Sequence, residues 1–108
     1  MTPMRSLEIH RDAEKYADQG DAYAHAHDDG KAATCYVIAG LLESLALELT
    51  PPSRPRTRSI LAVSAVSLLA KSGKPDDAAE IARQLVKDER LQPWAIKALD
   101  EVVPGWAQ

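Results

Sequence analysis

The chain has 108 residues and sets 13 Lys+Arg against 16 Asp+Glu, a formal net charge of −3. That length allows one domain with a thin core, and 27% charged residues with five glycines and seven prolines exclude a disordered or collagen-like chain. The acidic balance argues against a general nucleic-acid binder, and the lone Cys35 cannot form an internal disulfide, which points to a reducing cytoplasm.

The first predicted helix runs from about Arg5 to Asp28. Leu7, Ala13, Tyr16, Ala17, Gly20, Tyr23 and Ala24 recur at the three-and-four spacing of one helix face. Asp28-Asp29-Gly30 is the expected turn. The second helix, from about Lys31 to Leu49, is apolar nearly all round and is expected to be central, covered on several sides. Thr50-Pro51-Pro52 ends it, because the residue before a proline avoids helical angles and proline lacks the amide donor. Pro51 to Arg58 reads as a stiff, extended linker carrying Arg54, Arg56 and Arg58.

The third helix spans about Arg56 to Ser72, and Gly73 suits its left-handed end. Pro75 opens the fourth helix, with Asp76, Asp77 and Glu80 where a helix N-terminus favours negative charge. Ala78, Ile81, Ala82, Leu85 and Val86 form its buried stripe. A fifth helix runs from Trp94 to about Val103, with Ala95, Ala98, Leu99 and Val102 inward, and Pro104-Gly105 stops it. No strand-like alternation is present. The expected class is all-α, with consecutive helices antiparallel. The N-terminal segment lacks the apolar core of a signal peptide, and the apolar runs read as buried helices of a soluble, cytoplasmic domain with no membrane contact.

Tyr16, Gly20, Tyr23, Ala32, Tyr36 and Ala39 stand in the relative order and spacing of a tetratricopeptide repeat (TPR), which they resemble. His27 replaces the usual turn glycine. Ala62, Val66, Leu69, Gly73, Ala78, Ala82 and Leu85 repeat the pattern 46 residues on, against about 34 in tandem repeats. Thr57 to Ala82 also resembles short stand-alone bacterial proteins of this type. The resemblance implies two helical hairpins (about 5–49 and 56–88), a linker at 50–58 and a capping helix at about 92–103. It implies a concave surface that binds a protein or peptide, and no catalytic residues. Small residues at such positions let helix backbones approach closely, and Gly20 is expected to meet Ala32 or Ala39.

Asp21, His25 and Asp28 or Asp29 share a helix face at metal-ligand spacing, but with no HExxH or second cluster a solvated face is the expectation, with no metal and no cofactor. Cys35 lies on an apolar helix and reads as core. Ser59, Ser64 and Ser67 lack a nucleophile motif and are expected to cap a helix or face solvent. No catalytic residue is expected. Two charged sets remain. Asp18, Asp21, His25 and Asp28 lie on an acidic first helix that would select a basic partner. Arg54 and Arg56, on one side of an extended linker, would grip a phosphate chain or an acidic partner, or stand solvated. Arg58 is expected to pair with a carboxylate of the first or fourth helix. Trp94 is expected on the fourth helix, and Trp106 folded back on the cap, with homodimerisation through it as the alternative.

The expected function is a non-enzymatic interaction module, an adaptor or regulator of a cytoplasmic bacterial protein, antitoxin- or immunity-like in its sharpest form. The alternative is an RNA-binding or ribonuclease-like bundle, which needs the linker arginines close to His25 or His27.

Overall fold

The computed structural model describes residues 3–88 and 91–105. Among these there are five helices and no strand: α1 (Pro3–His25), α2 (Asp29–Leu49), α3 (Pro55–Lys71), α4 (Pro75–Asp88) and α5 (Pro93–Val102). The all-α class and the five-helix count are as the sequence indicates. Trp106 lies outside the described residues.

The helix ends follow local chemistry. Prolines open α1, α3, α4 and α5, where the missing amide costs nothing. Gly73 leaves α3 at φ +83°, and Gly105 follows α5 at φ +80°, both in the left-handed region that glycine enters without steric cost. The α1–α2 turn falls at Ala26–Asp28, two residues earlier than expected. His27 adopts φ +61° there, and Asp29 and Gly30 already belong to α2. Asp28 is the N-cap, its carboxylate accepting from the Lys31 amide at 3.2 Å. His27 therefore takes the conformation of a turn glycine, as well as its place.

α1 and α2 are antiparallel. Ser6 lies by Ala46 and Thr50, His10 by Glu43, and Asp21 by Tyr36. The buried line of α1 is Ser6, Ala13 and Gly20, with His10 and Ala17 partly covered. That line is rotated from the expected face: Leu7, Tyr16, Tyr23 and Ala24 are exposed. Small residues won the interface because they admit the Tyr36 ring. A Cβ on Gly20 would stand 2.7 Å from Tyr36 Cε1, so Gly20 meets Tyr36 and not Ala32 or Ala39.

The central helix is α3, not α2. α3 packs on α2, α4 and α5, whereas α2 packs on α1 and α3. The all-round apolarity of α2 misled because it includes an outward face, with Leu41 58% and Leu45 43% exposed. α2 is long and apolar enough to cross a membrane by length and composition, and its inner line of Ala32, Tyr36, Ala39 and Ala46 packs within the bundle. Among the described residues, nine of the 18 buried apolar ones are alanines, so backbone proximity, more than side-chain bulk, fills this core. The larger side chains gather between α3, α4 and α5, where Val66, Leu69, Leu99 and Val103 close around Ala78 and Ala82. The molecule is a slab of 40 × 36 × 17 Å, about two helix layers thick for helices packed 8–10 Å apart.

Two further expectations change. Trp94 does not pack away on α4; it is 44% exposed, and its indole N–H donates to Gln92 Oε1 at 2.7 Å. Ser59 neither faces solvent nor caps its own helix. It is fully buried, and its hydroxyl accepts the Gln92 amide at 3.0 Å, which anchors the start of α5 to α3.

Candidate functional site

α1 and α3 both lean on α2, and near the C-terminal end of α2 they leave a groove between them. Its volume is about 390 Å³, within the range of about 300–1,000 Å³ typical of ligand sites. Leu7, Pro51, Ile60 and Leu61 supply its apolar walls, while His10, Arg54 and Thr57 supply polar edges. Leu7 is 46% and Ile60 43% exposed, so two large aliphatic side chains stand open to water across the groove.

The end of the groove is rigidly built. The Ser6 and Thr50 hydroxyls are 2.8 Å apart, and each lies within 2.9 Å of the Ala46 carbonyl. This knot ties the start of α1 to the end of α2. Arg58 sends its guanidinium to the Leu47 carbonyl at 3.2 Å and to the Thr50 carbonyl. A cation there satisfies carbonyls at the negative end of the α2 dipole.

Behind the groove sits a His–Glu pair that sequence reasoning missed. Glu43 is 1% exposed, and its Oε1 lies 2.8 Å from His10 Nδ1. His10 Nε2 lies 2.9 Å from Glu14 Oε1. Carboxylates only accept hydrogen bonds, so both contacts are made together when the ring carries both its protons. Each ring nitrogen is then occupied. This histidine ties α1 to α2 through Glu43. The signal for it was present: one acidic residue on the inward line of an otherwise apolar helix needs a polar partner.

The expected site residues divide. Arg54 is the N-cap of α3 and borders the groove. Arg56 is exposed in the first turn of α3. Because α3 starts at Pro55, Arg54, Arg56 and Arg58 do not alternate along an extended linker; they wind around a helix start. Asp21 and Asp28 hold structure. Asp21 accepts the Tyr36 hydroxyl at 2.5 Å and lies 3.9 Å from Lys71 Nζ, joining three helices. Lys71 Nζ also stands 5.5 Å from the centroid of the Tyr36 ring, at cation–π range. The hydrogen bond it donates to Asp21, then burial, then the Asp21 charge push the Tyr36 hydroxyl up to about 12. Asp28 caps α2. Asp18 and His25 are exposed on α1. Among the described residues no three His, Cys, Asp or Glu side chains converge as a metal site, and Cys35 is buried.

The two charged sets are far apart. His25 and His27 lie at the α1–α2 turn, and Arg54 and Arg56 lie beyond the other end of α2, whose 21 residues span about 30 Å at 1.5 Å per residue. The arrangement thus separates the histidines from the arginines that a ribonuclease-like site would need together. No protein-family model, curated protein or solved structure matches the chain.

Proposed function

We propose that the protein is a non-enzymatic interaction module of TPR-like build, which holds a segment of a partner protein in the groove between α1 and α3. The observation that carries this reading is the groove itself: open aliphatic walls at Leu7 and Ile60 beside a cation at Arg54. An apolar side chain of the partner fills the hollow, and a neighbouring carboxylate meets Arg54 and the amide end of α3. That end has no side-chain cap and no acidic residue in its first turn, so it favours a negative group. The partner segment is therefore aliphatic and acidic. Adaptor or regulator, in a cytoplasmic setting, is the role that fits such a module.

The test is a fluorescence-anisotropy screen with short peptides that combine Leu or Ile with Asp or Glu, against versions in which Lys replaces the acids. Binders are expected to weaken at least about tenfold in Arg54→Glu and Ile60→Asp, with circular dichroism unchanged. Binding that ignores both substitutions, or retention of single-stranded RNA on filters at low salt with no peptide binding, would refute the groove reading.

A further inference from the structure

The outward face of α2 is a second feature that the groove leaves unused. Lys31, Thr34, Ile38, Leu41, Leu45 and Glu48 follow one another at spacings of three, four, three, four and three. That is the period of a helix–helix seam. Lys31, Thr34, Leu41, Leu45 and Glu48 are exposed and Ile38 is partly exposed, and Leu41 and Leu45 are the large apolar side chains among the exposed ones. Between Lys31 and Glu48 this line has no charge.

We infer that this face is a self-association surface, on which α2 packs antiparallel against α2 of a second copy of the chain. The sequence register and the surface relief both point to a copy. In a two-fold pairing residue i meets j and j meets i. Centring the pair between Ile38 and Leu41 sets Ile38 against Leu41 of the second copy and Thr34 against Leu45. Lys31 then comes level with Glu48 at both ends, opposite in charge. A parallel pairing would instead bring Lys31 level with Lys31 and Glu48 level with Glu48, and would align the two helix dipoles unfavourably.

The relief agrees. Around Thr34 lies a shallow hollow of about 450 Å³, edged by Tyr23, Lys31 and Cys35. Leu45 is an exposed knob three turns further along nearly the same line. Each copy thus carries one knob and one hollow, and the antiparallel register seats both knobs at once. An acidic partner would meet no cation along the middle of the seam. A lipid surface would meet a protein of net charge −3 with no basic residue beyond Lys31 on the stripe. α2 alone offers a strip about 30 Å long and about 10 Å wide, so the contact sits at the small end of specific interfaces and the association is weak.

Sedimentation equilibrium of the full chain, from about 10 µM to about 1 mM, covers the affinity such an interface supports. A monomer–dimer equilibrium is expected, weakened at least about tenfold by Leu41→Glu, with helicity and thermal unfolding retained. A Thr34→Cys/Leu45→Cys variant fixes the register: the two sites are about 16 Å apart within one helix, too far for an internal disulfide. Oxidation is expected to give covalent dimers whose linked peptides join position 34 to position 45. A monomer at every concentration, dimers that Leu41→Glu leaves unchanged, linkage of 34 to 34, or flotation of monomer with phosphatidylcholine–phosphatidylserine vesicles would each overturn the inference.

Discussion

Replacing Gly20 by alanine separates the packing account from simple helix propensity. In a helix interior alanine is favoured over glycine by about 0.8–1 kcal/mol, so propensity alone makes the change stabilising. The new methyl, however, would stand 2.7 Å from Cε1, 2.9 Å from Cδ1 and 3.1 Å from Cζ of Tyr36. Carbon atoms settle at about 3.5–4.0 Å, so the ring or the whole of α1 has to move by roughly 1 Å. The ring is held at its hydroxyl by Asp21 at 2.5 Å and flanked by Lys71, which resists that movement. Overpacking of this kind costs about 1–3 kcal/mol, and the net expectation for Gly20→Ala is a loss of about 1 kcal/mol. Two controls bracket it. Gly30 has nothing within 4 Å of its added Cβ, so Gly30→Ala is expected to gain about 0.5–1 kcal/mol. Gly40 would meet Leu69 Cγ at 3.1 Å, Leu69 Cδ2 at 3.3 Å and the Ala65 carbonyl oxygen at 3.4 Å, a milder crowding than at Gly20, and Gly40→Ala is expected to fall between the other two. Thermal unfolding followed by circular dichroism gives the order Gly30→Ala, Gly40→Ala, Gly20→Ala, with the extremes about 6–15 °C apart in Tm. In a Tyr36→Val background the Gly20→Ala penalty should vanish. A Gly20→Ala protein as stable as Gly30→Ala would refute the idea that the Tyr36 ring is wedged against α1.

His27→Gly should stabilise the fold by up to about 1 kcal/mol, since His27 holds φ +61° in a region that costs a side-chain-bearing residue about 1–2 kcal/mol; thermal unfolding reads it, and a loss would show that the His27 side chain has a role in the turn. The Tyr36 hydroxyl is raised to about 12 from the ordinary 10.0, so its contribution is fully present below pH 10 and is lost as pH rises from 10 through 12. Ultraviolet titration should find a late-ionising tyrosine, and Asp21→Asn should bring its ionisation down. His10→Ala leaves the buried Glu43 carboxylate without its ring partner, a loss of about 3 kcal/mol, whereas His10→Ala with Glu43→Leu should recover most of it in denaturant unfolding; equal loss in both would mean the His10–Glu43 contact carries no weight.

Helix ends were readable because they depend on neighbours in the chain. Gly73, Pro75, Pro93 and Gly105 each act through their own φ angle or missing amide, and each stands at a boundary. The buried stripes of α4 and α5 were readable too, because polar residues occupy the opposite face. α2 gave no such contrast: with leucines on one side and alanines on the other, hydrophobicity alone could not say which side faces in. The groove was hidden for a related reason. Its walls come from Leu7 and Ile60, more than fifty residues apart, and its rim depends on α3 starting at Pro55, which turned the expected arginine strip into a helix cap. Asp21 and Asp28 looked like an acidic surface because their partners, Tyr36 and the Lys31 amide, are fixed by tertiary and cap geometry.

The distribution of side-chain size on α2 links the fold to both surfaces. Ala32, Ala39, Gly40 and Ala46 face inward, and Leu41 and Leu45 face out. A chain selected only for its own stability would do the reverse, because burying a leucine contributes about 1.5–3 kcal/mol and burying an alanine far less. The small inward residues have a different use: they let α1 and α3 come close enough for Tyr36 to bridge them through Asp21 and Lys71. The outward leucines add little to that arrangement. Serine at 41 and 45 should therefore leave unfolding free energy within about 0.5 kcal/mol, as for surface sites, while Ile60→Ser alters the groove wall and leaves the α2 face untouched. If the double serine variant lost several kcal/mol instead, the leucines would belong to the core of the single chain, and the outward face would have no separate role.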